Sequence, residues 1–197
     1  MACPQHKTEE TAEPSQTNRK TRRRTPRKAT AKYLENVALW YLARFQATAR
    51  SLERVLERRV ARSARHHGTD TSAGRALIAD LIVRYQRSGL LDDASFAQAR
   101  ALTLHQRGIS TRAIRARLAE KGVGWPEIDA ALQTLTEITD ADTPPDLEAA
   151  KRTARRRHLG PWRESKQREE RREKDLAALA RAGFSYTVAR MVIDGKR

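Results

Sequence analysis

The strongest constraint on the fold of this chain is a series of helix start and stop signals in residues 89–132. Asp92 and Ser110 are residue types that cap helices, because their side-chain oxygens accept hydrogen bonds from free N–H groups of the first turn. Gly108 and Gly122 follow the segments that begin there, and glycine ends helices because it adopts the left-handed conformation without steric penalty. A proline in the first turn marks the start of a third helix. The segment therefore predicts three short, closely spaced helices.

Apolar residues beside these caps predict how the helices begin. Leu91 immediately precedes the first cap and is placed to pack onto Phe96, and Ile109 stands in the same relation to Ile114. The residues expected to carry this structural motif and its later repeat are Leu91, Asp92, Asp93, Phe96, Gly108, Ile114, Leu118, Gly122, Gly183 and Phe184.

The same pattern recurs along the chain at nearly constant spacing. Leu56, Leu118 and Leu179 occupy corresponding places, 62 and then 61 residues apart. A glycine follows the second and third of these leucines at the same offset, whereas the first is followed by Val60 and no glycine. Because a three-helix unit of this size cannot bury its apolar faces alone, we expect neighbouring units to stack. The predicted fold is all-α, with three tandem three-helix repeats that form an elongated, curved solenoid.

Shifts in composition divide the chain into an arm and three units. Residues 1–29 are polar, contain three prolines and cannot bury enough apolar surface to fold, so we expect a disordered basic N-terminal arm. Residues 66–70 are expected to form a loop, with Ser72 capping the next helix. Residues 163–174 are so densely charged that their early turns are expected to project as solvated helix. The three repeats are expected at residues 30–88, 89–136 and 143–197.

The charge balance favours an anionic partner. The chain of 197 residues has 40 Lys and Arg against 24 Asp and Glu, a formal net charge of +16. An excess of this size attracts a polyanion or an acidic protein surface, although it also suits a basic protein that merely stays soluble. The arm could likewise hold phosphates or be only a solvated tail. Its residues expected to contact nucleic acid are Arg22, Arg23, Arg24, Arg27 and Lys28.

Further basic side chains lie away from the apolar stripes of the predicted helices. In the middle unit Arg112 and Arg115 point away from the stripe that contains Ile114. Charge clusters of this kind are often only solvated faces, but the one-sided excess favours binding. The predicted contact residues are Arg112, Arg115, Arg117, Arg152, Arg155, Arg156, Arg157, Arg168, Arg171 and Arg172.

Several short motifs resemble those of the RecX family of regulatory proteins. They are, in chain order, Gly89-Leu90-Leu91-Asp92-Asp93, Phe96-Ala97, Gly108-Ile109-Ser110, Ile114, Leu118, Lys121-Gly122-Val123 and Ala182-Gly183-Phe184-Ser185-Tyr186. The last motif departs from the family's pattern in having alanine where arginine is common. The resemblance extends over about residues 33–194, so it covers the predicted folded part and leaves out the arm.

The resemblance implies an all-helical regulator of the RecA recombinase. It implies binding in the helical groove of the RecA–single-stranded DNA filament, with inhibition of RecA's ATP hydrolysis and strand exchange and no chemistry of the regulator's own. The implied partners are the RecA filament and single-stranded DNA, with duplex DNA as a weaker partner, and a monomer is expected. The residues alone leave an alternative open, namely a general nucleic-acid-binding protein that acts through its basic arm and basic helix faces.

Motifs for catalysis, metal binding or membrane insertion are not found in the sequence. It has no phosphate-binding glycine loop, no paired-histidine zinc motif and no apolar run near the ~20 residues of a membrane span. His66, His67 and Asp70 are neighbours, but three such residues in a surface loop are more often solvated than metal-bound. Cys3 is the only cysteine, so an internal disulfide is excluded. We therefore expect a cytoplasmic protein that is not an enzyme and has no cofactor or metal.

Overall fold

The structure of the chain is a computed structural model that describes residues 25–138 and 143–195. Within these residues the chain forms nine α-helices, two 3₁₀ turns and no strand, which confirms the predicted all-α class. The first three helices are α1 (Ala31–Leu42), α2 (Ala49–His67) and α3 (Thr71–Arg87). The next three are α4 (Asp93–Gln106), α5 (Thr111–Glu120) and α6 (Trp125–Glu137). The last three are α7 (Leu147–Arg157), α8 (Arg168–Arg181) and α9 (Tyr186–Ile193), with the 3₁₀ turns Gly160–Trp162 and Ser165–Gln167 between α7 and α8.

Each group of three helices encloses an apolar core of its own. Leu56, Leu118 and Leu179 are fully buried, one in each core, at the repeating position identified by their spacing. The closest helix packing lies within the groups, as between α2 and α3, α4 and α6, or α8 and α9. The described chain is therefore a series of three small cores, as the tandem-repeat pattern predicts. We call the three groups unit 1, unit 2 and unit 3.

The passage from unit 1 to unit 2 differs in detail from the sequence pattern. The spacing of Leu91 predicts a contact with Phe96, but Leu91 is buried in the core of unit 1 while Phe96 packs against the core of unit 2. The cause is the turn after α3, where the backbone N–H of Leu91 donates to the carbonyl oxygen of Tyr85 at 3.1 Å. This hydrogen bond returns the chain towards α3, so Leu91 completes the first core.

The predicted caps of unit 2 are confirmed. The side chains of Asp92 and Ser110 accept hydrogen bonds from the backbone N–H three residues further on, at 2.9 and 3.3 Å. Gly108, Gly122 and Gly183 have φ angles of 80°, 78° and 92°, in the left-handed region that glycine tolerates. The helix boundaries around these residues are thus set by local chemistry.

The predicted loop before α3 is wrong in two respects. His66 and His67 form the last turn of α2, because Gly68 is the first residue in the left-handed conformation. Asp70 caps α3 in place of Ser72, since its carboxylate accepts from the N–H of Ser72 at 2.8 Å and from the following N–H at 3.2 Å. A carboxylate with two accepting oxygens satisfies two free donors, which one hydroxyl does not.

Consecutive units are joined where the second helix of one meets the second helix of the next. Thr48, the N-cap of α2, donates from its hydroxyl to the carbonyl oxygen of Lys121 at the end of α5, at 2.6 Å. Ser110, the N-cap of α5, donates in the same way to the carbonyl oxygen of Ala182 at the end of α8, at 2.8 Å. Both hydroxyl residues are fully buried. We call these two contacts the α2–α5 joint and the α5–α8 joint.

A carboxylate completes each joint. The N–H of Ala49 donates to Asp93 at 2.9 Å, and the N–H of Thr111 donates to Asp146 at 2.8 Å. In both cases an acid at the start of the first helix of one unit accepts from the second helix of the preceding unit. The joints also place helix N-termini, which carry partial positive charge, against C-termini, which carry partial negative charge. Two successive joints thus repeat the same hydrogen bonds.

The glycines at the helix ends allow a matched test of the α2–α5 joint. A Cβ atom at Gly122 would overlap the Cβ and Cγ of Arg50, whereas a Cβ atom at Gly89 would meet no atom within 4 Å. Both glycines are left-handed, so either alanine substitution should cost about 1–2 kcal/mol of unfolding free energy. Gly122→Ala should cost a further ~1–3 kcal/mol because the joint must open. Urea unfolding of both variants measures the difference. Equal losses of unfolding free energy would contradict the close packing of Arg50 against Gly122 at this joint.

Candidate functional site

The outward face of α2 carries a continuous stripe of arginines. Its inward face buries Leu52, Leu56 and Val60, so residues on the opposite side of the helix face solvent. The exposed arginines of this face are Arg50, Arg54, Arg58, Arg62 and Arg65. Arg54 also contributes to the α2–α5 joint, since it donates to the carbonyl oxygen of Glu120 at 3.2 Å.

Several of the predicted contact arginines are held by partners within the chain. Arg115 forms an ion pair with Asp129, and Arg172 forms two hydrogen bonds with Asp194 at 2.8 and 2.7 Å. Those hydrogen bonds lower the pKa of the Asp194 carboxyl and raise the pKa of Arg172. Arg168 donates to two backbone carbonyl oxygens of the preceding turns, at 2.9 and 2.8 Å. A local carboxylate already offsets the charge of Arg115 and of Arg172.

Two arginines of α7 bind the C-terminal end of α4. Arg152 lies 3.5 and 3.4 Å from the carbonyl oxygens of His105 and Gln106, and Arg156 donates to the carbonyl oxygen of Arg107 at 2.8 Å. Thr153 lies between them in sequence, and its buried hydroxyl donates to the carbonyl oxygen of Gly108 at 2.6 Å. The last carbonyl groups of a helix lack partners within that helix. Arg152 and Arg156 therefore fasten unit 3 to unit 2.

Four of the predicted contact arginines point into solvent without a partner. Arg112, Arg117, Arg155 and Arg157 are exposed, and their side chains make no ion pair or hydrogen bond with the residues that the structure describes. Arg171 is nearly as free, since its one ion pair, with Glu170, is 3.8 Å long. An unpaired guanidinium keeps its five donors available for a carboxylate or a phosphate. These residues are the strongest members of the predicted contact set.

The predicted basic arm is only partly described. Arg22, Arg23 and Arg24 lie outside the described residues. Arg27 and Lys28 are exposed, in an irregular segment that meets α2. The backbone N–H of Ala29, the next residue, donates to the hydroxyl of Ser63, a buried residue of α2, at 2.9 Å. The described end of the arm is thus held against unit 1.

The predicted contact set leaves out the basic residues of α2. Within the described residues, no ion pair or hydrogen bond engages Arg58, Arg59, Arg62 or Arg65. The signal was available, because arginines recur every four residues along the exposed face of this helix. Adding them extends the candidate surface from unit 3 back to unit 1.

Exposed aromatic side chains repeat beside the joints. Trp125 and Tyr186 are 61% and 64% exposed, and each is the first residue of the third helix in its unit. Each follows the glycine of a joint, Gly122 or Gly183, by three residues. Large aromatic side chains in solvent are typical of interaction surfaces. The sequence alone does not show whether Trp125 is contact or core.

The charged stretch 163–174 is largely solvated, as predicted, but it does not begin as an α-helix. Residues 164–171 are exposed, and α8 begins only at Arg168, after the 3₁₀ turn Ser165–Gln167. A buried ion pair ties the stretch to unit 3: Asp175 is 2% exposed and accepts hydrogen bonds from Arg163 at 2.8 and 3.1 Å and from the N–H of Gly160 at 2.8 Å. This buried acid is a contact that the charge pattern does not predict.

The neighbouring histidines and Asp70 are engaged separately. The ring Nε2 of His67 donates to the carbonyl oxygen of Pro26 at 2.7 Å, since that carbonyl oxygen can only accept. Asp70 is taken up by its cap on α3. Across the described residues there is no group of three or more metal-ligating side chains, and none of the helices described is long and apolar enough to cross a membrane.

Comparisons with known proteins agree on one family. The sequence model described as "RecX, second three-helix domain" matches residues 92–132, which span unit 2. The regulatory protein RecX of Myxococcus xanthus is 44% identical over 171 residues, which cover 86% of this chain and 88% of that protein. The RecX protein of Agrobacterium fabrum is 34% identical over 103 residues, 52% of this chain and 51% of that protein.

A solved structure shows the same fold. The chain described as "Crystal structure of regulatory protein RecX" matches with a TM-score of 0.59 over 84% of this chain and 72% of that chain. At 22% identity this match concerns the fold alone. The all-helical architecture is thus shared with a solved relative.

Adjacent arginines of α7 provide a test of the division between structural and free side chains. Arg156→Met should lower the unfolding free energy by about 1 kcal/mol, because the carbonyl oxygen of Arg107 loses its donor. Arg155→Met should change it by less than about 0.5 kcal/mol, as for an exposed residue without partners. Urea unfolding of the two variants gives both values, and a larger loss for Arg155→Met would refute the division.

Proposed function

The chain belongs to the RecX family of regulatory proteins, and we propose that it is a negative regulator of the RecA recombinase. It binds in the groove of the RecA–single-stranded DNA filament and inhibits ATP hydrolysis and strand exchange there. Its partners are then RecA and single-stranded DNA, in the cytoplasm where the filament forms.

The observation that carries this proposal is the set of exposed arginine side chains that have no partner among the described residues. Arg112 and Arg117 lie on α5, Arg155 and Arg157 lie on α7, and the free arginines of α2 add side chains of the same kind in unit 1. A filament groove lined by protein and DNA offers acidic groups at regular intervals, and a series of joined units can meet several of them. Long-range attraction between such surfaces also speeds encounter.

In the proposed mechanism the protein inhibits by binding the filament and catalyses no reaction of its own. Hydrogen-bonded joints hold neighbouring units at a set spacing. A chain of this kind that contacts neighbouring RecA subunits ties them to one another. Steps of ATP hydrolysis and strand exchange that require those subunits to move are then slowed.

The deciding measurement is ATP hydrolysis by RecA on single-stranded DNA, titrated with this protein. Binding of the protein to the same DNA without RecA is measured in parallel. Inhibition at protein concentrations well below those that coat bare DNA is the expected result. Inhibition that appears only at coating concentrations would refute a filament-directed role.

Charge reversal at partner-free arginines tests the contact surface. Arg112→Glu combined with Arg117→Glu should raise the concentration for half-inhibition roughly tenfold, since two attractive contacts become repulsive. The control is Arg75→Glu combined with Arg87→Glu, which makes the same change of net charge at exposed α3 positions that are unpaired in the described structure. Circular dichroism should show equal helicity. An equal loss of inhibition in the two double variants would assign the effect to net charge alone.

The basic stripe of α2 supports a second candidate function, that of a general nucleic-acid binder. Deleting residues 1–24 separates the two functions, because the deletion removes most of the basic arm and keeps the contact between Ala29 and α2. A general binder acting through its arm should lose most of its DNA affinity and all inhibition that depends on coating DNA. A filament-directed regulator should keep inhibition within about threefold, a change of under ~1 kcal/mol.

A further inference from the structure

A basic groove lies in unit 1 between the described end of the arm and the first two helices. Its volume is about 580 Å³. Its walls come from the irregular segment before α1, from the first turn of α1 and from the C-terminal half of α2. The described residues that line it are Thr25, Pro26, Arg27, Tyr33, Arg59 and Arg62.

Three guanidinium groups meet at this groove without a counter-ion. Arg27, Arg59 and Arg62 make no ion pair or hydrogen bond with the described chain, and the described lining contains no carboxylate. Like charges brought together repel one another, and a bound anion relieves that repulsion. The arginine fork matches the oxygen geometry of phosphate. The groove therefore has the composition of an anion site.

The segment that brings Arg27 to the groove is anchored at both ends. The carbonyl oxygen of Pro26 accepts from His67 at 2.7 Å, and the N–H of Ala29 donates to Ser63 at 2.9 Å. Ser63 is fully buried and its hydroxyl is also bonded to that of Thr69 at 2.9 Å. Arg27 is thus carried on a segment that two hydrogen bonds position against the C-terminal half of α2.

We propose that this groove binds the phosphodiester backbone of single-stranded nucleic acid, with Tyr33 stacking on an unpaired base. The site lies in unit 1, and its Arg59 and Arg62 are among the free arginines of α2 that the proposed function also counts. It deepens the proposed function by giving the chain its own contact to DNA. The proposed site depends on the proposed function for one point only, namely that the phosphate groups belong to nucleic acid.

The aromatic ring in the groove favours a single strand over other anions. Tyr33 is half-buried against the core of unit 1 and also lines the groove. An aromatic ring beside several arginines suits a strand with free bases, because bases stack on it while the arginines hold phosphates. A duplex hides its base faces, and an acidic peptide has no base to stack.

The test measures binding of a fluorescent oligothymidylate by anisotropy, with the full chain and without RecA. Arg59→Gln combined with Arg62→Gln should weaken binding about tenfold at low salt. It should also lower the slope of log K against log salt by about 1.4, since each phosphate contact to a single strand contributes roughly 0.7. The control is Arg75→Gln combined with Arg87→Gln, which removes the same charge from α3 and should change binding less than about twofold.

Equal weakening by the two double variants would overturn the groove as a site. Equal competition by a polyglutamate peptide of the same charge would overturn its assignment to nucleic acid. Because RecA is absent, either failure would leave the proposed regulation standing, and loss of RecA inhibition alone would leave the groove standing.

Two substitutions at Tyr33 test the stacking contact. Tyr33→Leu should weaken binding to the oligothymidylate about tenfold, the usual effect of losing one base stack, whereas Tyr33→Phe should restore it. An abasic strand of equal length should bind wild type and Tyr33→Leu alike. If Tyr33→Leu binds the oligothymidylate as wild type does, or if a duplex binds as well as the single strand, the stacking contact is refuted.

Discussion

The architecture depends on one hydrogen bond, made twice, from a buried N-cap hydroxyl to the carbonyl end of the next unit's second helix. Thr48 and Ser110 each accept from their own helix and donate to the neighbouring one. One hydroxyl thus satisfies a free N–H of one helix and a free carbonyl of another, groups that are costly to bury unpaired. Removing the hydroxyl would leave a backbone N–H of one helix and a carbonyl group of the other without a partner. The same hydrogen bond, repeated at both joints, links the three small cores.

The contacts between units also decide which arginine side chains remain exposed without a partner among the described residues. A helix end that meets a neighbour needs donors for its last carbonyl groups, and Arg54, Arg152 and Arg156 supply some of them. Those side chains serve the assembly of units although they are partly exposed. Other arginines of α7, such as Arg155 and Arg157, have side chains without a partner in the part of the chain that the structure describes. One basic helix therefore carries both arginines that fasten the units together and arginines whose side chains stay exposed.

Local signals in the sequence were enough for the units, and non-local contacts decided the rest. The spacing of Leu56, Leu118 and Leu179 reveals the repeat because each leucine sits at the same point of its own core. Ser110 is recognisable as a cap, but its second bond joins it to a carbonyl 72 residues away, which no local pattern predicts. The four arginines of α7 look alike in sequence, and only the end of α4 distinguishes Arg156 from Arg155. The burial of Asp175 could not be predicted for the same reason, since nothing in the local sequence distinguishes this acid from the charged residues around it.

The placement of apolar area divides the chain into parts held by burial and parts held by directional bonds. The closely packed helix pairs named above lie within units, whereas the joints are made largely of hydrogen bonds and of small contacts around glycine. Breaking a joint therefore costs a few directional bonds and leaves the three cores intact. Because each core is closed on its own, the exposed arginines and aromatic side chains of a unit are positioned by the packing of that unit, and the joints set only how one unit follows the next.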